Sequence, residues 1–271
     1  MTDLLPANSG KDLILMKKSG LLQLKYSPPE IIQKRAAVGR YTLQNSPTIT
    51  GTEITRISGQ DLELLFQLYD HHFLQGYFSR QFAGTVRFSL SSRMTRSAGK
   101  THFPRNLGQL KPHQEEYEIR IGVAFLFNFG QLAREKTVNG IQAANALEAL
   151  QLVFEHEICH LVELHCCRES SCRRERFKTI AFSLFGHNDS YHHLPTEREI
   201  AAVQYGFVPG MSVRFRHQGA LLSGFIHRIN KRATVMVPDK QGEYQDQAGT
   251  RYAKWYVPLD ELETAADSEK T

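Results

Sequence analysis

Residues 141 to 164 read IQAANALEALQLVFEHEICHLVEL, and within them His156-Glu157-Ile158-Cys159-His160 has the spacing HExxH. If this segment is helical, positions four apart lie little more than one turn from each other, so both imidazoles face the same way. Two histidines on one helical face can chelate a single Zn2+ ion. Glu157 then stands beside the water that zinc activates and can take its proton. The five residues thus hold two metal ligands and a base suited to hydrolysing a peptide bond.

The flanking residues argue for the helix. Ala143, Ala144, Ala146, Leu147, Glu148, Ala149, Leu150 and Gln151 are mostly strong helix formers, with Asn139-Gly140 as a start signal. Leu147, Leu150, Phe154, Ile158 and Leu161 recur at steps of three and four and make one apolar stripe. His156, Glu157 and His160 lie off that stripe. No proline or glycine interrupts Ile141 to Leu164.

With 271 residues, 41% hydrophobic and 23% charged, the chain can bury a sizeable core in one or two domains. No apolar run approaches transmembrane length, and Met1 to Gly10 lacks a hydrophobic signal core. The expectation is a cytoplasmic or nucleoid-associated protein without a membrane partner. Cys159, Cys166, Cys167 and Cys172 are the four cysteines, clustered within fourteen positions, which suits a reduced compartment better than a disulfide framework. A net charge of +5 permits nucleic-acid contact.

Elsewhere the grammar is mixed. Residues 1–52, with Pro6, Pro28, Pro29 and Pro47, read as a flexible arm. Ser58 caps a helix whose stripe is Leu62, Leu65, Phe66, Tyr69 and Phe73. Val86, Phe88 and Leu90 alternate as a strand, and Tyr117, Ile119, Ile121, Val123, Phe125 and Phe127 predict a longer one. A further helix runs from about Arg173 to Leu184, ended by Gly186. From Gly210, short strands separated by glycine-bearing turns predict a small antiparallel β-barrel. The division is an arm (1–52), an α+β catalytic domain (53–205), a barrel (206–262) and a disordered tail (263–271).

In this order the parts resemble the SprT family of zinc metallopeptidases, which includes the Spartan DNA–protein crosslink proteases. The resemblance covers about Asp61 to Phe185. It rests on an opening helix ending in Tyr77-Phe78, the stretch Ser91-Ser92-Arg93-Met94 with Ala98-Gly99 after it, an alternating strand, and HEICHLVEL. It implies an α+β, zincin-like domain of helices packed on a small sheet, with His156 and His160 as zinc ligands and Glu157 as general base. It further implies a polypeptide substrate added along a strand edge, here the strand around Tyr117 to Phe127. Many relatives place a third histidine in an HGxxF or HGxxW pattern, whereas this chain has Cys172-Arg173-Arg174-Glu175-Arg176-Phe177 there.

A catalytic zinc wants three protein ligands and one open position. His187, just past the helix end at Gly186, ranks first as the third ligand. Cys172 follows, although a thiolate would make zinc a weaker Lewis acid, and Glu197 or Glu199 come last. His165 points elsewhere on a continuing helix. Glu163 and Cys166 stand where a metzincin needs glycine and histidine. In the barrel, Arg214, Arg216, His217, Arg228, Lys231, Arg232, Arg251 and Lys254 cluster around Tyr252, Trp255 and Tyr256, a pattern that can track phosphates and stack bases of DNA or RNA. Its layout resembles SH3-like and Tudor-like small barrels. Two functions follow: a zinc endopeptidase acting on nucleic-acid-associated proteins, or a non-catalytic zinc-containing module that binds nucleic acid or protein.

Overall fold

Two prolines that seemed to mark an arm start a helix instead. The structure, a computed structural model, describes residues 16–264, and there Pro28 and Pro29 open α1 (Pro28–Asn45). Proline suits the first helical turn, where its missing N–H has no partner to lose. Ser27 and Glu30 form a reciprocal capping box, with the Ser27 N–H donating to Glu30 Oε2 at 2.7 Å. Ile31, Val38 and Thr42 on α1 are buried, as is Leu21 in the preceding 3-10 turn (Lys18–Gln23). The arm reading therefore fails for residues 16–52; its first fifteen positions lie outside the described residues.

After α1 come α2 (Gly59–Phe73), α3 (Tyr77–Arg80), β1 (Thr85–Ser91), β2 (Gly99–His102), β3 (Glu116–Gly122), α4 (Val123–Phe127), β4 (Lys136–Val138) and β5 (Ile141–Ala143). The central helix α5 (Ala146–Cys167) is followed by α6 (Glu175–Phe185) and α7 (Glu197–Tyr205). Ser58 caps α2 as expected, and Leu62, Leu65, Phe66, Tyr69 and Phe73 are all buried. The chain is α+β. Among the described residues no helix is long and apolar enough to cross a membrane.

The expected strand through Phe127 stops at Gly122, and Val123–Phe127 is helical. The polar side of the alternation ends there, because Ala124 and Leu126 are buried like their neighbours. Strand order is β1-β3-β2, with β1 parallel and β2 antiparallel to β3. Hence β3 is central and cannot present an edge; β2 can.

Asn139-Gly140 does not start the long helix. Both residues have positive φ (53° and 78°) and turn the β4–β5 hairpin, as Asn-Gly pairs favour. A side chain at Gly140 would also strike Asn188, its built Cβ falling 1.5 Å from Oδ1. Asn145 caps α5, its side chain accepting from the Glu148 N–H at 2.9 Å. Almost every face of α5 is covered, including its carboxylates Glu155, Glu157 and Glu163.

The C-terminal strands β6 (Ser212–His217), β7 (Ala220–Ile229), β8 (Ala233–Pro238), β9 (Tyr244–Gln245), β10 (Arg251–Val257) and β11 (Glu263–Thr264) form one sheet in the order β11-β6-β7-β8-β10-β9. The sheet does not close, so the expected barrel is an open antiparallel sheet. Two-residue strands occupy its two edges and do not pair with each other. Ala201 of α7 packs into this second core with Phe207, Val213, Phe215, Ile226 and Val235. The second unit thus begins with α7 rather than at residue 206. Glu263 and Thr264 are paired with β6, and the remainder of the expected tail lies outside the described residues.

Candidate metal centre

His156 and His160 stand on one face of α5 with ring centroids 4.9 Å apart. The ring of Phe177, from α6, packs against both, at 4.9 Å and 4.4 Å. Burial pushes both imidazoles down, His156 to about 3 and His160 to about 4, with neighbouring histidines lowering His156 further. Each ring is therefore neutral near pH 7, as a metal ligand must be.

One side chain completes a metal-capable group: Cys172 offers its Sγ so that the ligand atoms of His156, His160 and Cys172 all lie within 4.8 Å of one another. The chain reaches this position by a sharp turn. Arg168 ends α5 in the left-handed conformation (φ 63°) and bonds Glu115 at 2.7 Å. Glu163 then gathers the returning loop, accepting from Ser170 Oγ at 2.5 Å, the Ser171 N–H at 3.1 Å and Arg176 Nε at 2.7 Å. His160 Nδ1 lies 2.7 Å from Ser170 Oγ. Since Ser170 donates to Glu163, it accepts from Nδ1–H of His160, which leaves Nε2 of that ring with its lone pair for a metal. Buried Nδ1 of His156 has no hydrogen-bond partner. Two neutral imidazoles and a thiol at this spacing suit zinc, which binds nitrogen at ~2.0–2.1 Å and sulfur at ~2.3 Å.

His187 is not part of this group. It is buried with Nε2 bonded to Glu155 Oε2 at 2.9 Å. Glu155 also receives a two-point contact from Arg35 (2.7 Å each) and the Tyr69 hydroxyl (2.8 Å). The Gly186 turn thus sends the imidazole beneath α5, into a buried polar network. Glu199 pairs with Arg134 at 2.5 Å and Glu197 accepts from Asn128 at 3.1 Å, so neither reaches the histidines.

Glu157 is buried next to β2. Thr101 Oγ1 donates to its Oε2 at 2.8 Å, while a Cβ at Gly99 would fall 2.5 Å from Oε1. Glycine at 99 therefore makes room for the carboxylate. Burial, against the Thr101 hydrogen bonds, pushes Glu157 up to about 7.

A cavity of about 80 Å3 opens over His156 and Glu157, bounded by Ser97 to Gly99 on one side and Ser190 to His192 on the other. His192 stacks edge-on against Phe125, 4.8 Å between centroids, and its Nδ1 is buried without a partner. Tyr191 stands exposed beside it. The sequence gives no signal for this pair, because their placement depends on backbone bonds to the β4–β5 hairpin. Asn139 N–H donates to Tyr191 O at 2.7 Å, and His193 N–H to Thr137 O at 2.8 Å.

Comparison with protein-family models, with curated proteins and with solved structures found no match to this chain.

Proposed function

We propose that the chain is a SprT-like zinc endopeptidase whose ligands are His156, His160 and Cys172. One observation carries the reading: two helix-spaced imidazoles and a sulfur come together, and one of them, His156, shares a cavity with the buried carboxylate Glu157, which Thr101 of β2 holds. Zinc, when bound, would acidify a water and polarise the scissile carbonyl. Glu157 takes the proton from that water through Oε1, the oxygen facing Gly99, while Thr101 fixes Oε2. An extended polypeptide adds along β2, whose outer edge has no strand partner among the described residues. Tyr191, which lines the same cavity, offers a hydroxyl to the oxygen on which charge develops.

The test is Glu157→Gln on zinc-loaded protein, read by elemental analysis and by mass spectrometry of an unfolded protein substrate. One zinc per chain with cleavage lost supports the proposal; undiminished cleavage refutes it.

Cys172 favours a second reading, since a thiolate weakens zinc as a Lewis acid: a structural centre in a module that binds nucleic acid or protein. The C-terminal sheet fits such a role. Register places Arg214, Arg216, Arg228, Lys254, Tyr252 and Tyr256 on one face, with Trp255 on the other against Phe215. Lys254 Nζ lies 4.4 Å from the Tyr244 ring and 5.6 Å from that of Tyr256. DNA or RNA contact on this face fits either reading, and proteins bound to nucleic acid are then the substrates of the first. Zinc retained in a wild-type chain that cleaves nothing would decide for the second.

A further inference from the structure

A cleft of about 430 Å3 lies between the loop before β2 and the C-terminal sheet. Three separate segments bring Arg96, Arg198 and Arg228 to its lining. None of the three is ion-paired with a described residue; the arginines that are, such as Arg35, Arg134 and Arg176, lie elsewhere. Glu197 is the one carboxylate in the lining, and it accepts a hydrogen bond from Asn128. Three exposed guanidinium groups against one carboxylate leave the cleft net positive, which favours an anionic ligand.

The anion's position follows from continuity. Arg96 precedes Ser97, which bounds the cavity over His156 and Glu157, and Phe125 of the cleft packs on His192 of that cavity, so the two adjoin. Ser190 and Tyr191 of that cavity also line a second groove with Phe177 and Phe182, whose charged residues are Glu175, Lys178 and Asp189. The cleft holds two rings: Phe125, buried against His192, and the exposed imidazole of His227. A polynucleotide would find charge there with a single exposed imidazole to stack on, whereas a peptide running past Ser97 from the cavity over His156 would bring its side chains to the arginines.

We propose that this cleft binds acidic side chains of an extended polypeptide, on the side of the scissile bond away from Phe182. The proposal rests on the peptidase reading and adds its substrate preference. The test uses zinc-loaded Glu157→Gln protein and two fluorescein-labelled peptides, one with Asp and Glu, its twin with Asn and Gln, followed by anisotropy. The acidic peptide should bind about tenfold tighter, the sum of roughly three exposed ion pairs, and lose that advantage at high salt. Alanine at Arg96, Arg198 and Arg228 together should erase the difference. Equal binding of the twins overturns the proposal without any variant. It is also overturned if the triple variant loses affinity for a thymidine oligonucleotide and none for the acidic peptide. Cleavage of both peptides by the wild-type chain is read separately. Cleavage without acidic preference sinks the cleft alone, while acidic preference without cleavage sinks the peptidase reading and leaves the cleft.

Discussion

At the scale of single residues, the centre turns on which side chain joins His156 and His160. Both histidines were legible in the sequence because their relation is fixed within one helical turn. Cys172 was not, since its approach depends on the Arg168 turn and on the bonds that Glu163 makes to Ser170, Ser171 and Arg176. His187 drew attention as an imidazole after a helix end, but Glu155 holds its Nε2. The variants should therefore behave oppositely. Cys172→Ala should lose zinc with little loss of fold. His187→Ala should keep zinc in elemental analysis yet lose about 1–3 kcal/mol in urea unfolding, because it leaves a buried carboxylate oxygen with one partner fewer. Gly99→Ala should cut peptide cleavage about 100-fold at unchanged zinc content, since the added Cβ displaces Glu157 by an ångström or more. Normal cleavage in Gly99→Ala would show that the carboxylate is not held where the base is needed.

At the scale of elements, local signals held where they were unambiguous and failed where one signal had two uses. Ser58 and Gly186 ended helices as read. Pro28-Pro29 and Asn139-Gly140 each fit two structures, and the choice fell to tertiary contacts: α1 covers α2 and α5, and the hairpin braces the loop at His192. Asp61 shows how firmly α1 and α2 are joined. Its buried carboxylate accepts from the hydroxyls of Ser46, Thr48 and Ser58 and from the Ser58 N–H. Burial pushes its pKa up, but these donors outweigh that and hold it below the ordinary aspartate value. A depressed folded pKa gives stability that is full above the unfolded value and is lost as pH falls through the folded one. Urea midpoints should therefore decline as pH falls below the ordinary aspartate value of about 4. Asp61→Asn should cost about 1 kcal/mol near neutrality and flatten that decline. An unaltered acid limb in the variant would assign the decline to other carboxylates.

For the whole molecule, two hydrophobic cores are joined through α7, which packs Ala201 into the second core and is tied to the first unit by the Arg134–Glu199 contact. Periodicity revealed the C-terminal strands but not whether their sheet closes, because closure is a relation between its edges β9 and β11. The metal group lies wholly within the first unit. Calorimetry should show chelation lowering the unfolding temperature of that unit by about 5–10 °C, the linkage expected when zinc exceeds its dissociation constant about 100-fold, and leaving the C-terminal transition in place. The most direct trial of the account is X-ray absorption at the zinc edge of the loaded chain. The account predicts two nitrogen neighbours at about 2.0–2.1 Å, one sulfur at about 2.3 Å and a light atom in the fourth position. A shell without sulfur in the unmutated chain, or a chain that retains no zinc, would contradict it.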